Sequence, residues 1–499
     1  MLAGQCVFKV GSQSVISAYL GSSVVYGGFD VYVDSVSGNN ANSGTSPSQA
    51  KKDLSAIGAI SAGMSIGLGK GSYWREKLTV SVDNVTVKSY GSGDRPVIDC
   101  ADIVPNANWS KTGGYTNVYQ VTITVDPDTN AEEWPGLWIG GVRCAFSASL
   151  AALDSAAGTF YYSAATGLTS ITLYVHSTGS TNPISDGKTY EASVRRAAID
   201  NFLGSYANIE GIETRRNYAS YGSITLGRHG VMRDCVAKEG NTHNIYMRAY
   251  TEAYDCATID AYNHTTSPTQ WIVHENVVPG ADATATLTRC SASCATYQSG
   301  MIGFYNHKGS GPDWLSINLV DFSSNNINNP IASANTTTLN VTGGTLTNLL
   351  NVFSTNGQNI NASGLNISGV QTGGHMGNFS GNDLTYVFDN ITATWGTTGH
   401  IRALGTGCSF TLKNSHITSP NTVIMTTVSG STNTFTVTDN IFTPAGRMSV
   451  VYDITGTHAV ISDRNNFGGA TGKWRYNGTD YLTLAAWRAF SGQDINSLP

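Results

Sequence analysis

The chain has 499 residues, of which 12% are charged and 40% hydrophobic, with 55 glycines and a formal net charge of −6. So little charge beside so many apolar residues excludes a coiled coil and a disordered chain, and favours an all-β protein with many turns. The acidic balance excludes a dedicated nucleic-acid binder, which would carry a basic patch.

The segment Leu2-Ala3-Gly4-Gln5-Cys6 lacks the basic start and unbroken apolar stretch of an export signal. Residues 1–28 form a separate module. Gly11-Ser12-Gln13-Ser14-Val15 returns ten positions later as Gly21-Ser22-Ser23-Val24-Val25, which predicts β-hairpins, with Gly27-Gly28 as a hinge. Val31-Tyr32-Val33-Asp34 predicts a strand and residues 38–47 a polar turn. Ala50, Leu54, Ile57 and Ile60 then have helical spacing, predicting a short capping helix over 48–61. Serine and glycine interrupt the apolar-rich stretch 54–69, so no membrane insertion is expected.

Short strands and turns follow. Residues 105–195 break the rhythm with Trp109, Trp134, Trp138 and Gly158-Thr159-Phe160-Tyr161-Tyr162, and predict an irregular β insertion. Its tryptophans suit either a local core or a surface for sugar rings. Cysteines at 6, 100, 144, 235, 256, 290, 294 and 408 include no metal-finger pair and are expected as buried free thiols. Arg-Asp-Cys235, Tyr-Asp-Cys256 and Thr-Arg-Cys290 recur at intervals of 21 and 34. Asn340, Asn366, Asn390, Asn414 and Asn440 recur every 24–26 residues. A period near 24 without helices predicts a solenoid of three-strand coils, with asparagines bonded up a ladder and Cys, Val and Ile stacked inside. The solenoid is expected over 29–470, with 471–499 as a closing segment.

Three stretches resemble right-handed parallel β-helix proteins of the pectate-lyase-like group. They are Val31–Tyr73, Gly158–Val175, and Trp474–Leu498 with its Leu484-Ala485-Ala486-Trp487 and Ser491-Gly492-Gln493-Asp494. That group holds polysaccharide lyases, glycoside hydrolases and bacteriophage tailspikes, and residues 7–26 resemble short modules at the start of phage tail proteins. The resemblance implies an all-β, right-handed parallel β-helix. It implies a tailspike or tail fibre that binds a host surface polysaccharide, with or without depolymerising it. It also implies side-by-side homotrimers, and phage tail or baseplate proteins as partners of residues 1–28. The expected location is the virion tail, after synthesis in the host cytoplasm. A stand-alone extracellular hydrolase or lyase and a non-catalytic adhesion protein are the alternatives. No cofactor or metal is expected.

The candidate chemistry lies at 235–308. Glu239 and His243 follow Cys235 by four and eight residues, as Asp260 and His264 follow Cys256. Pairs one coil apart would stack on one surface. Two close carboxylates suit glycoside hydrolysis, one kept protonated by the other, with His264 beside them as a third catalytic candidate. Phe304-Tyr305-Asn306-His307 echoes Ala261-Tyr262-Asn263-His264. His243, Tyr262, Asn263, Tyr305, Asn306 and His307 are therefore expected to bind glycan. A lyase would instead draw on His264, His307, Lys308 and Arg248. A merely structural ladder is the third reading of these residues. With Arg248 and Lys308 the only cations in view, the expected glycan is uncharged or weakly charged. His375 and His400, 25 apart, suit a structural stack better than a metal pair.

Overall fold

The computed structural model describes residues 9–10, 13–14, 17–20, 23–26, 28–126, 135–162, 169–218, 221–262, 268–275, 283–308, 316–334, 338–356, 358–379, 382–395, 401–419, 425–427, 432–444, 452–468 and 474–499. Strands dominate because the sequence alternates apolar and small polar residues between turns. Ile317, Leu319, Leu339 and Val341 point inward while Asn318 and Asn340 point outward.

One face of the molecule is a 14-stranded parallel sheet running from Val31–Val33 to Ala459–Asp463, one strand per coil. The chain is thus a parallel β-solenoid of about 13 turns. The long strands Ser291–Lys308, Ser323–Ala334, Thr345–Asn356 and Asn366–Phe379 bend round a corner, so the other faces join into a 22-stranded sheet. At the N-terminus, Lys9–Val10 pairs antiparallel with Gln13–Ser14, and Ser17–Leu20 with Ser23–Tyr26, giving the two expected hairpins.

The interior is built of stacked columns. Val236, Ala257 and Ser291 are in register, which places Cys235, Cys256 and Cys290 above one another, all buried. All seven cysteines among the described residues are buried free thiols, as expected. Further along, Tyr386, Phe410 and Phe435 stack at 4.7 and 5.3 Å. Asparagine ladders also form, but not in the expected set. Asn340 bonds to Asn318 and Asn361 to Asn340, each at 3.0 Å, while Asn440 bonds to Asn465. Asn366 instead lies in the column of Thr345 and Thr392. Coils differ in length, so an even sequence interval does not keep residues in one column.

The capping helix is corrected. Residues 48–61 hold only a 3-10 turn at Leu54–Ile57, with another at Pro47–Gln49. Ala50 and Asp53 are extended and Gly58 has φ of 80°, so no longer helix forms. The apolar positions still cover the first coil, with Ala50 and Leu54 buried. At the other end the α-helix Leu484–Ser491 packs Leu484 and Trp487 onto the core, capped by the Thr483 hydroxyl and the left-handed Gly492.

Between Cys100 and Val194 the chain leaves the solenoid. It builds a four-stranded sheet and a five-stranded, largely antiparallel sheet around a separate apolar core that includes Trp109, Leu137, Phe160, Leu173 and Tyr190. The two ends of this excursion meet, because the Val194 amide donates to the Cys100 carbonyl at 2.9 Å.

Candidate functional site

Arg216, Glu239 and Asp260 occupy the same corner of three successive coils, at φ of 60°, 55° and 50°. Their amides donate to Lys238, Ile259 and Ser293 of the next coil at 3.0, 2.9 and 2.9 Å. Left-handed backbone suits Gly, Asn and Asp, and it costs Glu or Arg about 1 kcal/mol. Glu239 and Asp260 therefore emerge one coil apart, as their shared offset from the cysteines predicts.

The surrounding cations are mostly taken. Arg216 Nε lies 3.0 Å from both Asp99 oxygens, and its Nη1 lies 2.9 Å from Glu191. Arg75 also pairs with Glu191. Glu213 holds Arg215 at 2.5 Å and Lys238 at 2.9 Å. Among the described residues neither Glu239 nor Asp260 has an ion-pair partner. Burial pushes the Glu239 carboxyl above the usual range; Arg216 and Arg215 pull it down, and Asp99 and Asp260 add to the rise. Asp260 Oδ1 accepts from the Ala295 amide at 2.8 Å.

A hairpin of the inserted sheets roofs this corner. Leu137–Ile139 and Val142–Arg143 pair through Gly140 and Gly141, both left-handed. Arg143 Nη2 donates to Asn241 Oδ1 at 2.6 Å, and its guanidinium lies 3.9 Å from the centre of the Tyr262 ring. Trp138 is fully buried, within 5.6 Å of the Arg143 guanidinium and 5.1 Å of that of Arg216. Gly136 is required beside it, since a Cβ there would lie 2.5 Å from the indole. Burial raises the Tyr262 hydroxyl to about 12. Trp109 is buried in the inserted core, so neither of these tryptophans offers an open face, and Trp134 lies outside the described residues.

The expected pairing of His243 with His264 falls on residues that are not described. His243 is in register with Thr269, 26 positions on, whereas Asn241 faces Tyr262 at an interval of 21, so one fixed period does not hold along this coil. Asn263 and His264 themselves lie outside the described residues. The tyrosine echo fails. Tyr305 aligns with Ile272 and Tyr246, three positions along the strand from the His243–Thr269–Ile302 column. Asn306 faces Val273 and is buried, and His307 faces His274. Arg248 sits at the far end of that face, 2.6 Å from Glu275 and stacked on Phe202. Lys308 faces Glu275 in register. Since Met247 faces Val273, positions 248, 307 and 308 thus gather at one end of the face around Glu275, while His264 lies outside the described residues. His375 faces Asn351, and His400 lies outside the described residues.

Sequence reasoning missed Arg143 and Asn241. The Gly140-Gly141 pair between Trp138-Ile139 and Val142-Arg143 signals a hairpin and places Trp138 opposite Arg143. Where that hairpin docks carries no local signal. Among the described residues no group of three or more His, Cys, Asp or Glu side chains could hold a metal, and no helix is long and apolar enough to cross a membrane.

No family model matches the chain, and no curated protein matches it. Solved structures do. A complex of XylC with xylose is 10% identical, with 94% of this chain and 85% of that one covered at a TM-score of 0.45. A structure described as a glycoside hydrolase is 10% identical over 93% and 99% of the two chains, at 0.40. The GH136 lacto-N-biosidase of Eubacterium ramulus is 12% identical over 86% and 68%, at 0.35.

Proposed function

We propose that the chain binds a polysaccharide across the Glu239–Asp260 corner and hydrolyses it. One observation carries this reading: two carboxylates without cation partners among the described residues stand one coil apart, and burial favours the proton on one of them. A coil step of about 4.8 Å suits the separation used for retention. Glu239 gives its proton to the glycosidic oxygen as Asp260 attacks the anomeric carbon, breaking the glycosidic bond and forming an ester. Glu239 then takes a proton from water, which displaces Asp260 and frees the sugar. Tyr262 supplies a ring at the edge of the site. Incubating the protein with capsular and lipopolysaccharide glycans and measuring new reducing ends tests the reading. Release by the wild type, lost in Asp260→Asn with binding kept, supports it; no release from any glycan overturns it.

The setting we propose is a phage tail. Residues 1–28 would attach to the tail or baseplate, and three chains would lie side by side. The two N-terminal hairpins ahead of the solenoid agree with such an attachment module. Light scattering of the intact chain should give a trimer mass; a monomer mass rejects the trimer.

A further inference from the structure

We propose that Arg143, with Asn241 and Tyr262, forms a subsite for an anionic group on the sugar, so that the glycan taken at this corner is acidic. The inference rests on the glycan reading above and names its substrate class. It reverses the expectation of an uncharged polymer, which counted only the cations near the coil in sequence. The inserted hairpin brings a further one.

Arg143 differs from its neighbours. Arg75, Arg195, Arg196, Arg215, Arg216, Arg228 and Arg248 each have a carboxylate within salt-bridge distance, and Arg143 has none among the described residues. Its described contacts are one amide oxygen, of Asn241, and the rings of Tyr262 and Trp138. Nη1 is buried and lacks a hydrogen-bond partner among the described residues. Trp138 Nε1, on the ring beside it, and Thr242 Oγ1, one residue on from Asn241, are also buried without a partner among the described residues. A guanidinium with a buried, unused N–H is unfavourable unless a counter-charge arrives. Burial already weakens its hold on the proton, bringing the Arg143 pKa down to about 10, with Tyr262 and Glu239 opposing the fall.

The partner is an oxyanion rather than a neutral hydroxyl, because Arg143 brings a positive charge with no salt bridge among the described residues and a buried, unused Nη1 donor. A planar guanidinium presents parallel N–H groups to a carboxylate or a sulfate. Tyr262 fixes the guanidinium plane, and Asn241 fixes its rotation. The nearest unpaired anion, Glu239, is the carboxyl that burial tends to protonate, so it competes weakly for Arg143.

The test uses the full-length protein and calorimetric titration with matched sugars. Glucuronate, galacturonate, glucose 6-sulfate and galactose 6-sulfate are compared with glucose and galactose. At least one acidic sugar should bind tenfold or more tightly than its neutral counterpart, with the uronates and sulfates distinguishing the two oxyanions. Arg143→Met should remove that preference, and Arg143→Lys should restore part of it. Equal binding of all acidic and neutral sugars, or a preference that survives in Arg143→Met, overturns the proposal. Unchanged circular dichroism and melting in Arg143→Lys guard against a folding defect. The two readings fail separately. Cleavage of a neutral glycan that needs Asp260 would keep hydrolysis and sink this subsite. Arg143-dependent acid binding without any cleavage would keep the subsite and sink hydrolysis.

Discussion

Arg216 and Asp99 form an ion pair that is almost wholly enclosed, with side-chain exposures of 6% and 0%. The pair joins the strand Val97–Asp99 to the corner after Glu213–Arg215, just beneath the inserted hairpin. The same guanidinium reaches Glu191 of the insertion, so one cation ties the solenoid to its roof.

Removing one partner of such a pair leaves an unpaired charge out of water. Asp99→Ala should therefore lose about 3–5 kcal/mol in urea unfolding. The double variant Asp99→Ala with Arg216→Met should recover much of that loss. If the single variant melts like the wild type, the pair is not enclosed in solution.

Glu239 makes a pH prediction. Its carboxyl titrates above its ordinary value, chiefly through burial. A group raised in the folded state contributes most below its unfolded value and loses that contribution as pH rises through the folded one. Glu239→Gln should therefore be more stable than the wild type at pH 7, and the difference should shrink below about pH 4.5. Thermal melts at both pH values check this. The same variant should lose any glycan cleavage, the usual exchange of stability against function.

Gly344 turns a corner at φ 108°, and a Cβ there would lie 2.1 Å from the Phe322 carbonyl oxygen. Both the backbone angle and the space exclude a side chain. Gly344→Ala should cost more than about 1 kcal/mol, the usual penalty when alanine is forced to positive φ. Gly91, also left-handed but with nothing within 4 Å, is the control, and Gly91→Ala should cost less.

A chain starting at Gly28 should keep the melting temperature of the full length. Phe29 begins the packed part, in edge contact with Tyr32 and close to Gly67, where a Cβ would lie 2.5 Å from its ring. The strands upstream pair only with one another among the described residues. Aggregation of the shortened chain would make residues 1–28 part of the cap.

The solenoid was legible because its interior repeats chemically. Cys235, Cys256 and Cys290 announce their column, and the same offset carries Glu239 and Asp260 to one corner. That reasoning stops where a coil changes length. Asn241 faces Tyr262 at an interval of 21 but His243 faces Thr269 at 26, and no local pattern announces the difference. Tyr305 misled in another way, since a repeated tripeptide on a strand says nothing about which column it joins. Arg143 was out of reach because its role depends on docking across about a hundred residues of sequence, from the hairpin at 137–143 to Asn241 and Tyr262.

The bond from the Val194 amide to the Cys100 carbonyl has a consequence for how such a molecule changes over time. The inserted sheets leave and re-enter at one point, so their length is nearly invisible to the coils beneath. Closing a longer excursion at a fixed gap costs only about 0.6 kcal/mol per doubling. Lineages can therefore exchange the whole roof, with its arginine and its tryptophan, while the carboxylate corner keeps its register. The roof would then change by replacement of a cassette rather than by slow drift of the scaffold.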